Sequence, residues 1–213
     1  MDRPVKTLLK LDTSIYSAGG QSSRLADQFV AAWRENHPTA EVITRDLARD
    51  TVPHLDAERF GSFLAKPSER SAEQQAVVDY SDALIDELKR SDVLVLGLPM
   101  YNFGVPSTLK AYFDHIARVG VTFRYTEKGP VGLLKGKKVY VFATRGGLYA
   151  GTPRDTETAY VRDFFQFLGF EDVEFVYAEG LAINAERKEA ALSKAKQAIE
   201  RLVVRPAVER LAA

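Results

Sequence analysis

Short apolar runs alternate with amphipathic stretches along almost the whole of this 213-residue chain, and that rhythm leaves few folds open. A brief, nearly continuous apolar run suits a strand covered on both faces, while apolar residues three and four apart suit a helix packed on it. Strands are expected at Val5–Leu11, Glu41–Leu47, Asp92–Leu98, Lys137–Thr144 and Asp172–Tyr177. The second alternates Val42, Thr44 and Asp46 against Ile43, Arg45 and Leu47, the pattern of an edge strand. In the fourth, Val139, Val141 and Ala143 face one way and Tyr140 and Phe142 the other. Helices are expected over Ser22–Asn36 on Leu25, Phe29, Ala32 and Trp33, over Pro106–Arg118 on Leu109, Tyr112, Phe113 and Ile116, over Thr152–Leu168 on Val161, Phe164, Phe165 and Leu168, and over Ala185–Val203 on Leu192, Ala195, Ile199 and Leu202. One more opens at Ser71 with Gln74, the pair of a capping box, and runs on Val77, Leu84, Ile85 and Leu88.

Five strands separated by helices predict a single three-layer α/β domain over residues 1–213, built on a five-stranded parallel sheet. No repeat, low-complexity tract or linker divides it. Two longer connections interrupt the rhythm: Ala48–Ser71, with Pro53, Gly61 and Pro67, and Gly120–Gly136, which reads as a small hairpin or lid.

Composition removes several classes of function. Lys plus Arg and Asp plus Glu each number 29, so the basic excess of a nucleic-acid binder is missing. No uncharged apolar run is long enough to span a bilayer. Asp2, Arg3, Lys6, Lys10 and Asp12 deny the first residues the apolar core of a signal peptide. With no cysteine there are no disulfides, thiol chemistry or cysteine-held metals, and a cytoplasmic setting is expected. His37, His54 and His115 have no metal-ligand spacing, so no metal is expected. There is no G-x-S-x-G elbow and no G-x-G-x-x-G dinucleotide fingerprint, and the glycines around Lys135 precede a strand and lack the Ser or Thr of a phosphate loop.

Three loops each follow a strand and should therefore gather at one edge of the sheet, where ligands of open parallel sheets bind. The first, Asp12–Ser23, holds Ser14, Ser17, Gly19, Gly20, Gln21, Ser22 and Ser23 ahead of a helix: either a cradle for a phosphate or an ordinary Ser cap on a flexible loop. The second is Pro99–Gly104. Tyr101 and Phe103 flank the amide of Asn102, which suits a planar ring with polar edges and points at a flavin; a rigid turn with core aromatics is the other reading. In the third, Thr144–Tyr149, the twin glycines Gly146 and Gly147 admit close approach of backbone to a ligand, or make a plain turn.

With these loops assembled, the chain resembles the FMN-dependent NADH azoreductases, also described as NADH:quinone oxidoreductases, over essentially its full length. The resemblance is carried by Pro99-Met100-Tyr101-Asn102-Phe103, Gly120-Val121-Thr122-Phe123-Arg124-Tyr125-Thr126, Thr144-Arg145-Gly146-Gly147 and Ala178-Glu179-Gly180. It implies a flavodoxin-like three-layer sandwich and a homodimer with two sites at its interface. It also implies that Ser14, Gly20, Gln21 and Ser22 hold the FMN phosphate. Met100, Tyr101, Asn102 and Phe103 would line the isoalloxazine, and Thr144, Arg145, Gly146 and Gly147 its pyrimidine edge. Gly20 stands where relatives often carry a serine, so its contact would come from backbone; Thr144 replaces a common serine.

The function so implied is electron transfer from NADH or NADPH through FMN to quinones and aromatic azo compounds, donor and acceptor visiting in turn. Asn102 would orient the ring, the amides of Gly146 and Gly147 would meet its developing negative charge, and Phe123 and Tyr125 would arch over it to sandwich flat substrates. The rival readings are a flavodoxin-type electron carrier, a cofactor-free protein of the same fold, and an enzyme holding FAD. Arg59, Arg145 and Arg154 are the cations available for a 2′-phosphate.

Overall fold

The structure, a computed structural model, describes residues 6–209; Val5, the first residue of the first expected strand, lies outside the described residues. Seven strands and six helices follow one another: β1 (Thr7–Asp12), α1 (Gln21–Asn36), β2 (Glu41–Asp46), α2 (Ala57–Leu64), α3 (Ala72–Arg90), β3 (Val93–Pro99), α4 (Ser107–Ile116), β4 (Phe123–Thr126), β5 (Gly129–Gly132), β6 (Lys138–Thr144), α5 (Thr158–Leu168), β7 (Asp172–Ala178) and α6 (Ala185–Glu209). The main sheet is five-stranded and wholly parallel, in the order β2-β1-β3-β6-β7.

Apolar runs form the centre of this sheet because helices cover both of its faces. Leu9, Leu11, Leu94, Leu96, Val139 and Val141 pack against α3, α4 and α5, while Leu8, Val93, Val95, Tyr140 and Phe142 pack against α1 and α6. The flanking strands β2 and β7 are less buried, as the alternation in β2 predicts. Lys10 also points into the α1 side. It stays charged there because its Nζ donates to Asp12 at 2.8 Å and to Asp27.

Strand order reverses between β1 and β3: from β1 the chain winds one way to β2, then returns and winds the other way through β3, β6 and β7. The crevice at the carboxyl ends of β1 and β3 is therefore the place this topology leaves open for a ligand.

The structure departs from the sequence reading at four points. Val78, rather than Val77, is the buried residue in the first turns of α3. The connection Ala48–Ser71 contains the helix α2, capped by Asp56, whose side chain accepts from Arg59 N–H at 2.8 Å. The helix expected from Thr152 begins only at Thr158, because residues 152–157 are held as turns by Asp155 and Thr152.

The fourth concerns Gly120–Gly136, which does form a hairpin, β4 antiparallel to β5, but not a lid over the loops of its own chain. Gly132 lies against the backbone at the end of α5, where an added Cβ would sit 2.1 Å from Gly169 N, and Leu134 N–H donates to Leu168 O at 2.9 Å. Thr122 Oγ1 donates to Ile116 O at the end of α4. Helices that follow parallel strands run back to the opposite edge of the sheet. The hairpin is anchored at that far edge, so Phe123 and Tyr125 do not arch over a ligand at the carboxyl edge of the same chain. Phe123 is only 5% exposed and packs on Phe167, 4.3 Å between ring centroids; Tyr125 is 69% exposed.

Candidate active site

Thr13 Oγ1 donates to Gly97 O at 2.7 Å as β1 ends, pinning the first loop to β3. A 3-10 turn at Ser17–Gly19 leads to Gly20, the N-cap of α1, and no side chain caps that helix. Helices α2 and α3 are capped by Asp56 and Ser71, while α4 and α5 share with α1 the lack of a side-chain cap. The first turn of a helix offers N–H groups with no partner inside the helix, and its dipole favours an anion there. Within this turn Ser22 is wholly buried and its hydroxyl has no hydrogen-bond partner among the described residues. A buried orphan hydroxyl costs free energy until something satisfies it, and a phosphate at the helix end is a fitting acceptor.

Two glycines set the geometry of this corner. A Cβ at Gly20 would lie 2.3 Å from Ser14 Oγ, so glycine is what lets Ser14 stand beside the helix end. A Cβ at Gly97 would lie 3.2 Å from the backbone of Ser22, so α1 enters directly over the point where strand order reverses.

The second loop is a tight turn in an unusual conformation. Tyr101 and Gly104 exchange both backbone hydrogen bonds at 3.0 Å, with Asn102 at φ +50° and Phe103 at φ +62° between them. Two left-handed residues make the mirror-image turn that Asn-Gly usually fills. Asparagine tolerates the first position. Phenylalanine at the second costs about 1–2 kcal/mol, strain of the sort held at ligand sites. The turn projects Asn102 and Phe103 into the open, both exposed.

Side chains join the three loops into one surface. The Tyr101 hydroxyl lies 3.2 Å from Ser14 Oγ and accepts from Ile15 N–H at 3.3 Å. Met100 N–H donates to Thr144 O at 3.0 Å. Thr156 Oγ1 donates to Phe103 O, and the Phe103 ring meets Tyr149 edge-on with centroids 5.7 Å apart.

The third loop is held from behind. Leu181, Ala182 and Gly180 N–H donate to the carbonyls of Arg145, Gly146 and Gly147 at 2.8–3.1 Å, whereas the N–H groups of Gly146 and Gly147 have no acceptor among the described residues. Arg145 points inward, not at a ligand. Its guanidinium is 0% exposed and bonds Asp155 at 2.7 Å and Glu179 at 3.2 Å. The Arg145 backbone is engaged as well, its N–H donating to Ala178 O at 3.0 Å, and the guanidinium charge lies too deep to meet a 2′-phosphate. Burial works against ionisation of Asp155, but hydrogen bonds from Arg145 and Thr158 hold its carboxyl below the ordinary value. Glu157, fully buried, is pushed by that burial up to about 8, against the attraction of Arg145.

The structure thus brings Ser14, Gly20, Gln21, Ser22, Met100, Tyr101, Asn102, Phe103, Thr144, Gly146 and Gly147 to one rim, with Arg145 behind it and Phe123 and Tyr125 at the far edge. Sequence reasoning missed Asp155, Thr156 and Glu157, and gave Tyr149 and Glu179 no role although both stand in segments it singled out. His115 is buried and bonded through Nδ1 to Ala111 O at 3.0 Å, a packed histidine whose pKa burial lowers.

A family described by its flavodoxin-like fold matches residues 6–203. An FMN-dependent NADH:quinone oxidoreductase of Cellvibrio japonicus is 54% identical over 194 residues, covering 91% of this chain and 96% of that protein. This chain belongs to the FMN-dependent NADH:quinone oxidoreductase family. Another member, from Burkholderia lata, is 52% identical over 193 residues, with 91% and 98% covered. Among solved structures, an azoreductase of Bacillus anthracis superposes with a TM-score of 0.85 at 25% identity, covering 93% of this chain and 98% of that one. An FMN-dependent NADH-azoreductase from the same species, solved in complex with FMN, gives 0.83 at 28% identity, covering 93% and 99%. The flavodoxin-like description agrees with the parallel sheet flanked by helices described above.

Proposed function

We propose that this chain is an FMN-dependent oxidoreductase that carries electrons from NADH to quinones and aromatic azo compounds in two alternating half-reactions. The observation that carries the reading is the buried, unpartnered hydroxyl of Ser22 in the first turn of a helix that no side chain caps. Bound FMN would supply the redox chemistry that protein side chains lack, accepting a hydride from the nicotinamide and passing electrons on.

The chain's own residues bind and orient. Ser14, Gly20, Gln21 and Ser22 form the phosphate end, where a dianion gains from the helix dipole. The left-handed turn presents Met100, Tyr101, Asn102 and Phe103 to the ring, with Asn102 as the polar group that orients its reactive edge. The free N–H groups of Gly146 and Gly147 would stabilise negative charge growing on the pyrimidine edge, and they are held in advance by the 180–182 segment. The exposed Asn102 and Phe103 at this rim suit planar donors and acceptors that occupy the same place in turn.

The reading extends to a homodimer with its sites at the interface. Because the hairpin sits at the far edge, Phe123 and Tyr125 can serve substrate binding only when a partner subunit brings its own hairpin to this rim. Exposed Phe60 and Leu64 on α2, with Val119, Tyr125 and Leu133 on or beside the hairpin, supply apolar surface for such a contact. The reading includes a cytoplasmic setting, which NADH as donor supports.

The test is spectroscopic. Protein purified with FMN should show a bound-flavin absorbance spectrum that NADH bleaches without oxygen and benzoquinone restores. Protein that stays colourless after FMN is added would overturn the reading. So would a flavin spectrum that NADH leaves unchanged.

A further inference from the structure

Four ionisable side chains meet behind the Gly146–Gly147 loop, and one of them, Glu157, has an ion-pair contact but no hydrogen bond among the described residues. Arg145 Nη2 donates to Asp155 at 2.7 Å and to Thr158 Oγ1 at 3.1 Å, and Nη1 donates to Glu179 at 3.2 Å. Arg145 Nε lies 3.4 Å from Glu157 Oε2 without hydrogen-bonding geometry, so this nitrogen and both Glu157 oxygens remain unpartnered. Three carboxyl groups around one guanidinium would leave a negative surplus in a buried space, which is costly. Other donors share the load for two of them. Glu179 accepts from Tyr149 and Ala150 N–H, each at 2.8 Å. Asp155 accepts from Thr158 N–H at 3.1 Å and Thr158 Oγ1 at 2.7 Å. Nothing does so for Glu157. The remaining titratable neighbour, Tyr177 on β7, is engaged: its hydroxyl is 3.0 Å from Thr158 Oγ1 and its ring 5.2 Å from the guanidinium carbon.

We infer that Glu157 is a positioning residue for the flavin-edge loop, acting through Arg145: protonated, it leaves the guanidinium to Asp155 and Glu179; ionised, it draws the guanidinium away from them. The inference rests on the FMN site proposed above. Burial raises the Glu157 carboxyl to about 8, so the exchange falls near working pH. Loosening Arg145 from Glu179 slackens the clamp on Tyr149 and Ala150, next to the two glycine amides that meet the ring. The folded chain holds the Glu157 proton above the pH at which an unfolded carboxyl loses it. The contribution of Glu157 to stability is therefore full in acid and lost as pH rises towards 8.

The test compares the parent with Glu157→Gln, which keeps the shape and removes the titration. In flavin-free protein, exchange of the Tyr149 and Ala150 amides is measured at matched pH. The parent-to-variant ratio should rise as pH approaches 8, by up to about tenfold per pH unit, the slope of one linked proton, and level off above it. The ratio of their Kd values for FMN should stay flat below pH 8 and rise above it, by up to about tenfold per pH unit, as the protonated form becomes scarce. Parallel pH profiles, or a variant weaker by the same factor at every pH, would overturn the inference and leave Glu157 a packing residue. If Glu157→Gln does not fold, Glu157→Leu serves, since it too must flatten the profile. The exchange measurement needs no flavin. FMN that binds neither protein at any pH would defeat the site's reading, while the amides still decide the role of Glu157.

Discussion

Replacing Ser22 with alanine should move the protein in opposite directions with and without FMN. In the flavin-free chain the Ser22 hydroxyl is buried and unpartnered. An unsatisfied buried hydroxyl costs about 1–3 kcal/mol, and removing it leaves only a one-atom void, so Ser22→Ala should stabilise that state by about 1 kcal/mol. For a chain of this size the gain corresponds to a Tm about 2–4 °C higher. At the proposed FMN site the same hydroxyl would donate to a charged phosphate, a bond contributing about 1.5–3 kcal/mol. Its loss should weaken FMN binding about 10–150-fold. The assays are thermal denaturation of stripped protein and titration of FMN fluorescence. A stripped variant that melts at or below the parent, together with an unchanged Kd, would refute the reasoning, because the hydroxyl would then have a partner in neither state.

Two further substitutions probe the other loops. Asn102→Ala should keep the fold but slow flavin reduction by NADH about tenfold, the loss expected for one orienting hydrogen bond; unchanged stopped-flow rates would remove Asn102 from the mechanism. Gly147→Val should reduce FMN retention on gel filtration, since its Cβ would stand 2.7 Å from the Tyr149 ring and push that ring off Phe103; full flavin loading would contradict it.

The sheet was legible because its central strands, buried on both faces, read as unbroken apolar runs, and the edge strand β2 as an alternation. Boundaries failed where tertiary ties overrule local pattern. Residues 152–157 carry helix-compatible side chains, yet the turn bonds of Asp155 and Thr152 delay α5 until Thr158. Helix α2 escaped notice because Gly61 interrupts it and Pro53 and Pro67 bracket it, features that read as loop. The three loops were legible as a site because each follows a strand of one parallel sheet. The inward turn of Arg145 was not, since its carboxylate partners stand from ten to thirty-four positions away and no short motif announces them. The hairpin's position was available in principle: a helix after a parallel strand carries the chain to the opposite edge, so an insertion following α4 must begin there.

The glycine N-cap of α1 has a consequence for the life of the protein in a cell. If FMN completes the end of α1 as proposed, the chain folds most securely when FMN is plentiful, by RT ln(1 + [L]/Kd). Chains made during vitamin shortage would open more often and fall to proteases sooner, so enzyme abundance would follow riboflavin supply without any transcriptional control.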